Sequence, residues 1–79
     1  MHPVAPPFRR PPLPAGLTPR QLEVLHHLAQ GASTRQIADT LGIQLETVRN
    51  HVRGILRALG VHSRLEAVAA ARQRGLLAD

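Results

Sequence analysis

The stretch from Ser33 to Leu59 decides the fold, and its sequence is STRQIADTLGIQLETVRNHVRGILRAL. In the second half of this stretch, apolar residues recur at about 100° per residue, the period of an α-helix, and so predict one buried face. These apolar residues are Leu45, Val48, Val52, Ile55, Leu56 and Leu59. The open side of the same helix carries a polar row made of Glu46, Arg49, Asn50, Arg53 and Arg57. One side of the predicted helix therefore packs, and the other presents guanidinium groups.

A shorter helix is predicted immediately before this one. Ser33 and Gln36 have the spacing of a capping box, and Gly42 is predicted to end the helix near Leu41. The residues from Gly42 to Gln44 then form a three-residue turn that contains glycine. A capped helix, a short turn and a longer helix are typical of a helix-turn-helix, whose second helix lies in the major groove of DNA. The polar row suits that groove, because Arg pairs with guanine and Asn with adenine.

Two further helices are predicted on either side of this motif. Thr18 begins a capping box for a helix that we expect to run from Pro19 to Gln30. Ser63 and Glu66 have the same spacing and predict a helix from Arg64 to Arg74. The predicted fold is therefore all-α, with four short helices and no strand, a tetrahelical helix-turn-helix domain.

Composition divides the chain into a tail and one domain. The 79 residues are 43% hydrophobic, enough for a single modest core. Residues 1–16 hold six of the seven prolines, so we expect a disordered tail or a linker there and a folded domain over residues 17–77. Arg9 and Arg10 in the tail can be interpreted as a minor-groove arm, a proline-motif ligand or simply solvated charges. The tail can equally be the remnant of a linker to a sensor domain.

The charge balance indicates a polyanionic partner. Ten basic residues, all arginine, face five acidic ones, which gives a formal net charge of +5 and a pI near 11.8. The absence of lysine can reflect the function of the guanidinium groups, but a coding bias towards arginine explains it equally well. The charge therefore favours nucleic acid as the partner, and the motifs decide which kind.

The remaining composition argues against catalysis, metal binding and membrane insertion. There is no cysteine, and no two of the five histidines are three or four residues apart, so we expect no zinc site. The only serines, Ser33 and Ser63, stand at predicted caps, where no nucleophile is needed to explain them. No apolar run has the length of a membrane span or a signal peptide. We expect no enzyme activity, no cofactor and a cytoplasmic protein.

Four blocks of sequence carry a resemblance to a known family. LTPRQLEVL at 17–25, GASTRQIA at 31–38, TVRNHV at 47–52 and LGVHSR at 59–64 stand in the order and spacing of the LuxR-type (GerE-like) DNA-binding domain of bacterial regulators. The resemblance extends over residues 17–77. It implies a four-helix domain whose third helix lies in the major groove and whose fourth commonly supports dimerisation.

The resemblance also implies roles for individual positions. The residues that match base-reading positions are Arg49, Asn50 and Arg53. The residues that match phosphate-facing positions are Ser33, Thr34, Arg35 and Thr47. We add His51, as a partly buried histidine that reaches a phosphate, and Arg57, as backbone attraction. The expected dimerisation residues, on one face of the fourth helix, are Leu65, Val68, Ala69 and Arg72.

Two positions depart from the family pattern. Gln44 stands where the family usually has a serine cap, and this weak cap costs about 1 kcal/mol. Gly54 is predicted on the exposed side of the third helix, where glycine costs about 1 kcal/mol relative to alanine. A close approach of the backbone to DNA would offset that cost.

The sequence predicts sequence-specific binding of double-stranded DNA by a bacterial transcriptional regulator that acts as a homodimer on the nucleoid, with RNA polymerase as a further partner. Two alternatives stay open. One is a sigma-factor region-4-like domain, which has a similar motif. The other is a protein-interaction module, an antagonist that pairs with a full-length regulator without touching DNA. A reader of single-stranded RNA is disfavoured, because residues 17–77 contain no Phe, Tyr or Trp on which bases could stack.

Overall fold

The computed structural model describes residues 16–77, and over that range it contains four helices and no strand. The helices are α1 (Pro19–Ala29), α2 (Thr34–Leu41), α3 (Leu45–Leu59) and α4 (Arg64–Gln73). The all-α prediction is confirmed. α1 and α4 each end one residue earlier than predicted, because Gln30 and Arg74 adopt turn-like backbone angles (φ −84°, ψ 0° and φ −91°, ψ 4°). Except for Gly16, the predicted tail lies outside the described residues, as do Arg9 and Arg10.

The first two helices begin with the predicted capping boxes. At α1, the hydroxyl of Thr18 accepts from the Gln21 amide at 3.0 Å, and the Gln21 side chain accepts from the Thr18 amide at 2.9 Å. At α2, Ser33 and Gln36 exchange the same two bonds, at 3.1 and 2.8 Å. Each box satisfies amides that have no partner inside the helix, so both helix starts are fixed by local sequence.

The capping box predicted for α4 is only half formed. The Ser63 hydroxyl accepts from the Glu66 amide at 3.1 Å, as expected. The Glu66 carboxylate, however, accepts from the amide of His62 at 2.8 Å rather than from that of Ser63. Ser63 has φ −143°, against −79° and −75° at the other two caps. This difference in φ accompanies the change of donor from Ser63 to His62.

The turn between α2 and α3 is the one that defines a helix-turn-helix. Gly42 ends α2 in the left-handed region, with φ 67° and ψ 34°, a conformation that is strained for residues with a Cβ. The Ile43 amide closes the turn by donating to Ala38 at 3.1 Å. Gln44 caps α3 with no side-chain hydrogen bond, so the predicted weak cap is confirmed.

The core is built around α3, which packs against each of the other helices. Its apolar stripe is buried as predicted at four positions and partly buried at Leu45 and Leu56. The buried residues of the whole core are Leu17, Val24, Leu25, Leu28, Ile37, Ala38, Val48, Val52, Ile55, Leu59, Ala67, Val68, Ala71 and Leu77. Since one face of α3 is fully used in packing, its opposite face is held rigidly in solvent.

Gly54 does not lie on the exposed side of α3, and that prediction is wrong. It is half-buried, and a Cβ built there would collide with the side-chain amide nitrogen of Gln21. The amide oxygen of Gln21 is held by the α1 capping box. Glycine therefore makes room for the start of α1 against α3, and no approach to DNA is needed to explain it.

Gly54→Ala is expected to leave the free energy of unfolding nearly unchanged, because two effects oppose each other. Alanine gains about 1 kcal/mol of helix propensity, whereas its methyl group displaces Gln21 from the capping box at a similar cost. In a Gln21→Ala background the collision is gone, and Gly54→Ala should stabilise by about 1 kcal/mol. Urea denaturation of the double-mutant cycle measures this coupling. If the alanine has the same effect in both backgrounds, Gln21 does not require glycine at position 54.

Candidate nucleic-acid interface

The exposed face of α3 brings the predicted base-reading residues together. Arg49, Asn50 and Arg53 are all exposed, within a little more than one helical turn. Arg57 is exposed one turn further along, about 6 Å from Arg53 along the axis. The side of α3 opposite the core is therefore a continuous polar surface with three arginines.

These side chains are connected by hydrogen bonds and ion pairs along the helix. The Arg53 guanidinium donates to the Asn50 side-chain oxygen at 2.6 Å. The Glu46 carboxylate reaches two arginines, with Oε2 3.4 Å from Arg49 and Oε1 3.5 Å from Arg53. Glu46, Arg49, Asn50 and Arg53 form one cluster, which we call the α3 polar cluster. Arg57 is not part of it.

Sequence reasoning gave Glu46 no role. It belongs to the predicted open face of the helix, and its spacing to Arg49 is a usable signal, because an acid three or four residues before a base supports a helix. The contact with Arg53, seven residues on, could not be expected from nearest-neighbour spacing. It requires two long side chains to lean towards each other along the same face.

The α3 polar cluster is held weakly enough to exchange partners. Its charged side chains are each more than half exposed. An ion pair in that setting contributes at most about 1 kcal/mol, because water screens the charges and the side chains lose entropy. The guanidinium groups can therefore leave Glu46 for the planar, bidentate acceptors that arginine prefers.

A second polar group lies at the start of α2, which packs against α3. Ser33 and Arg35 are exposed and Thr34 is half-buried. The Ser33 oxygen accepts from the Gln36 amide, so its hydroxyl proton is free to donate elsewhere. The first amides of a helix point outwards at the positive end of the helix dipole. This end of α2 has the chemistry of a phosphate contact.

The two remaining phosphate candidates lie on α3. Thr47 is exposed in the first turn, and His51 is half-buried beside the apolar stripe. The partial burial of His51 agrees with its position in the sequence pattern. The predicted DNA-facing residues thus lie on α3 or at the start of α2, and all of them are exposed except the half-buried Thr34 and His51.

The predicted dimerisation residues do not share one exposed face. Leu65 is 81% exposed, and Ala69 and Arg72 are exposed as well. Val68 is only 8% exposed and belongs to the core, because the buried face of α4 is formed by Ala67, Val68 and Ala71. Its small exposed part lines a shallow groove between α4 and the end of α1. Val68 therefore contributes to the stability of the fold, independently of any contact that it makes in an assembly.

The described residues provide neither a metal site nor a membrane-spanning helix. Between residues 16 and 77, no cluster of histidine, acidic or cysteine side chains has the arrangement to hold a metal ion. Over the same range, the helices are too short and too polar for any of them to cross a membrane.

The chain is similar to known proteins in sequence and in fold. Residues 15–71 match the family "Bacterial regulatory proteins, luxR family". The nitrate/nitrite response regulator protein NarP of Escherichia coli (strain K12) is 52% identical over 60 residues, which cover 75% of this chain and 28% of that protein. The HTH-type transcriptional activator RamA of Corynebacterium glutamicum is 44% identical over 61 residues, which cover 77% of this chain and 22% of that protein. The chain thus spans less than a third of the length of these relatives.

A solved structure gives the same result for the fold. The structure of the transcription factor GerE superposes with a TM-score of 0.74 at 35% identity, covering 78% of this chain and 92% of that one.

Proposed function

The chain belongs to the luxR family of bacterial regulatory proteins, and from this premise we propose that it binds double-stranded DNA in a sequence-specific manner as part of a transcriptional regulator. The observation that carries the proposal is the exposed α3 polar cluster, which follows a capped helix and a three-residue turn and lies opposite the core. The similarity to a transcription factor and to a transcriptional activator supports it.

In the proposed complex, α3 lies in the major groove and its central side chains read base edges. Arg49 and Arg53 present planar forks that fit the O6 and N7 atoms of guanine, and Asn50 between them fits adenine. Arg57, about 6 Å beyond Arg53, lies where a straight helix leaves the curved duplex, so it attracts the phosphate backbone. The position of each arginine along α3 thus separates base reading, by Arg49 and Arg53, from attraction to the phosphate backbone, by Arg57.

Phosphate contacts fix the register of the domain on the duplex. We assign them to Ser33, Thr34 and Arg35 at the start of α2 and to Thr47 and His51 on α3. The supporting features are the free hydroxyl proton of Ser33, the positive end of the α2 dipole and the exposure of Thr47. The two groups would hold the backbone on either side of the groove that α3 enters.

We further propose that the domain forms a homodimer on DNA through α4. Leu65, Ala69 and Arg72 supply an exposed face, with Leu65 as its apolar centre. A ten-residue helix offers far less area than a stable dimer buries, so pairing needs two adjacent half-sites to raise the effective concentration. A regulator of this kind would act on the bacterial nucleoid and have RNA polymerase as a further partner.

Selection of bound sequences from a random duplex library tests the proposal, with the full 79-residue chain as bait. We expect enrichment of one motif in two copies, with centres about one helical turn, or roughly 10 base pairs, apart. Affinity should fall steeply with salt, as it does when arginines displace counterions from phosphates. Binding without any enriched motif would show that the domain recognises only the DNA backbone. No binding at low salt would overturn the proposal and favour a protein-interaction module.

A further inference from the structure

Glu46 is an acidic group in the middle of a surface proposed to meet a polyanion. It lies in the first turn of α3, on the exposed face, and its two carboxylate oxygens pair with different arginines. Those arginines, Arg49 and Arg53, are the two proposed to read bases. One carboxylate therefore spans both reading groups and leaves the α3 polar cluster with a net charge of +1, two arginines less one glutamate.

A stabilising role at the helix start does not account for this geometry. An acid in the first turn is favourable near the positive end of a helix dipole wherever its side chain points. The Glu46 carboxylate instead reaches along the helix to Arg53, seven residues on, or about 10 Å along the axis. Arg53 also has a shorter bond, to Asn50 at 2.6 Å, and the same Nη1 atom makes both contacts.

Such a carboxylate is expected to make the two arginines behave differently on matching and nonmatching DNA. On a matching duplex, guanine acceptors replace Glu46 as partners of Arg49 and Arg53, and the freed carboxylate can accept from a cytosine amino group in the same groove. On a nonmatching duplex no correctly placed guanine replaces Glu46. Arg49 and Arg53 then either stay paired with Glu46 and lose their attraction for DNA, or turn to phosphates and leave the carboxylate unpaired near negative charge. Both outcomes oppose binding.

We propose that Glu46 is a specificity-determining residue, which weakens binding to nonmatching DNA more than to matching DNA by pairing Arg49 and Arg53 in the absence of the correct bases. This inference rests on the proposed function. It differs from simple base reading, because the discriminating element is a repulsive group placed among attractive ones.

The test compares Glu46→Gln with the unchanged chain on two duplexes: the best sequence from the random-library selection, and a scrambled duplex of the same composition. Glutamine keeps the size of the side chain and an oxygen acceptor but removes the charge. We expect binding to the scrambled duplex to tighten by about tenfold at low salt and binding to the selected duplex to change by less than about threefold. The ratio of the two affinities should therefore fall by at least about threefold.

Glu23→Gln is the matched control. Glu23 is also exposed and also pairs with an arginine, Arg20 at 2.9 Å, but it lies on α1 outside the α3 polar cluster. Both substitutions raise the net charge by the same amount. We expect Glu23→Gln to leave the ratio of the two affinities unchanged. Thermal unfolding followed by circular dichroism checks the fold of each variant, and Glu46→Ala replaces Glu46→Gln if the latter is unfolded.

The outcomes separate this inference from the function on which it rests. If the unchanged chain prefers the selected duplex and Glu46→Gln shifts both affinities by the same factor, Glu46 contributes only overall charge and the inference is overturned. If the unchanged chain itself binds the two duplexes equally, the proposed sequence-specific function fails, and the inference fails with it. A ratio that falls for Glu46→Gln but not for Glu23→Gln supports both.

Discussion

Arg49→Ala and Arg53→Ala are each expected to weaken binding to the selected duplex by about 1 to 3 kcal/mol and to relax the base preference at one defined position. In the proposed complex, each substitution removes a bidentate fork and leaves guanine acceptors without a partner in the groove. Both side chains are exposed and lie outside the core, so the melting temperature should stay close to that of the unchanged chain. Binding to the scrambled duplex should weaken much less.

Arg57→Ala is the matched control, since it removes the same charge from the same helix. We expect it to weaken both duplexes by about the same factor and to lower the salt slope by about one unit, as the loss of one phosphate contact does. Titration of all three variants against both duplexes at several salt concentrations makes the comparison. Equal weakening of both duplexes by Arg49→Ala and by Arg53→Ala would mean that these arginines touch only phosphate.

Val68→Asp is expected to abolish cooperative unfolding of the domain. Val68 is 8% exposed and belongs to the core, so the aspartate must lose most of its hydration or the helix must leave the core. Burying a charge costs several kcal/mol. The total stability of a domain below about 80 residues is of similar size. Thermal unfolding followed by circular dichroism should show little helix and no transition.

Leu65→Asp introduces the same charge three residues earlier on α4, at a side chain that is 81% exposed. This variant should fold with a melting temperature near that of the unchanged chain. If α4 is the dimer contact, it should lose cooperative binding to paired half-sites and still bind a single half-site. A stably folded Val68→Asp would contradict the burial argument. Equal effects of Leu65→Asp on paired and single half-sites would place the contact elsewhere.

The sequence predicted the helices well because their signals are local. The capping boxes at Thr18 and Ser33 and the glycine after α2 depend on residues within three or four positions of one another. The buried stripe of α3 follows from its period alone. The residues of the α3 polar cluster are also set by spacing along one helix, so their exposure could be predicted without any tertiary contact.

The errors occurred where a neighbouring helix decides the environment. Gly54 has an exposed-looking position on α3, but the start of α1 crosses there and places Gln21 over it. Val68 lies near Leu65 and Arg72 on a helical projection, yet α1 and α3 cover one side of α4 and not the other. The Glu66 carboxylate accepts from the amide of His62 rather than from that of Ser63, where φ differs from its value at the other two caps. None of these follows from spacing along one helix.

Protection of guanine N7 from dimethyl sulfate tests the central claim, that α3 reads bases in the major groove, because N7 is exposed in that groove only. On the selected duplex, the unchanged chain should protect specific guanines in each half-site. Arg49→Ala should restore methylation at one of them and Arg53→Ala at another, under conditions where both variants are fully bound, while Arg57→Ala leaves the pattern intact. Binding without N7 protection, or a pattern that neither alanine substitution alters, would contradict the account.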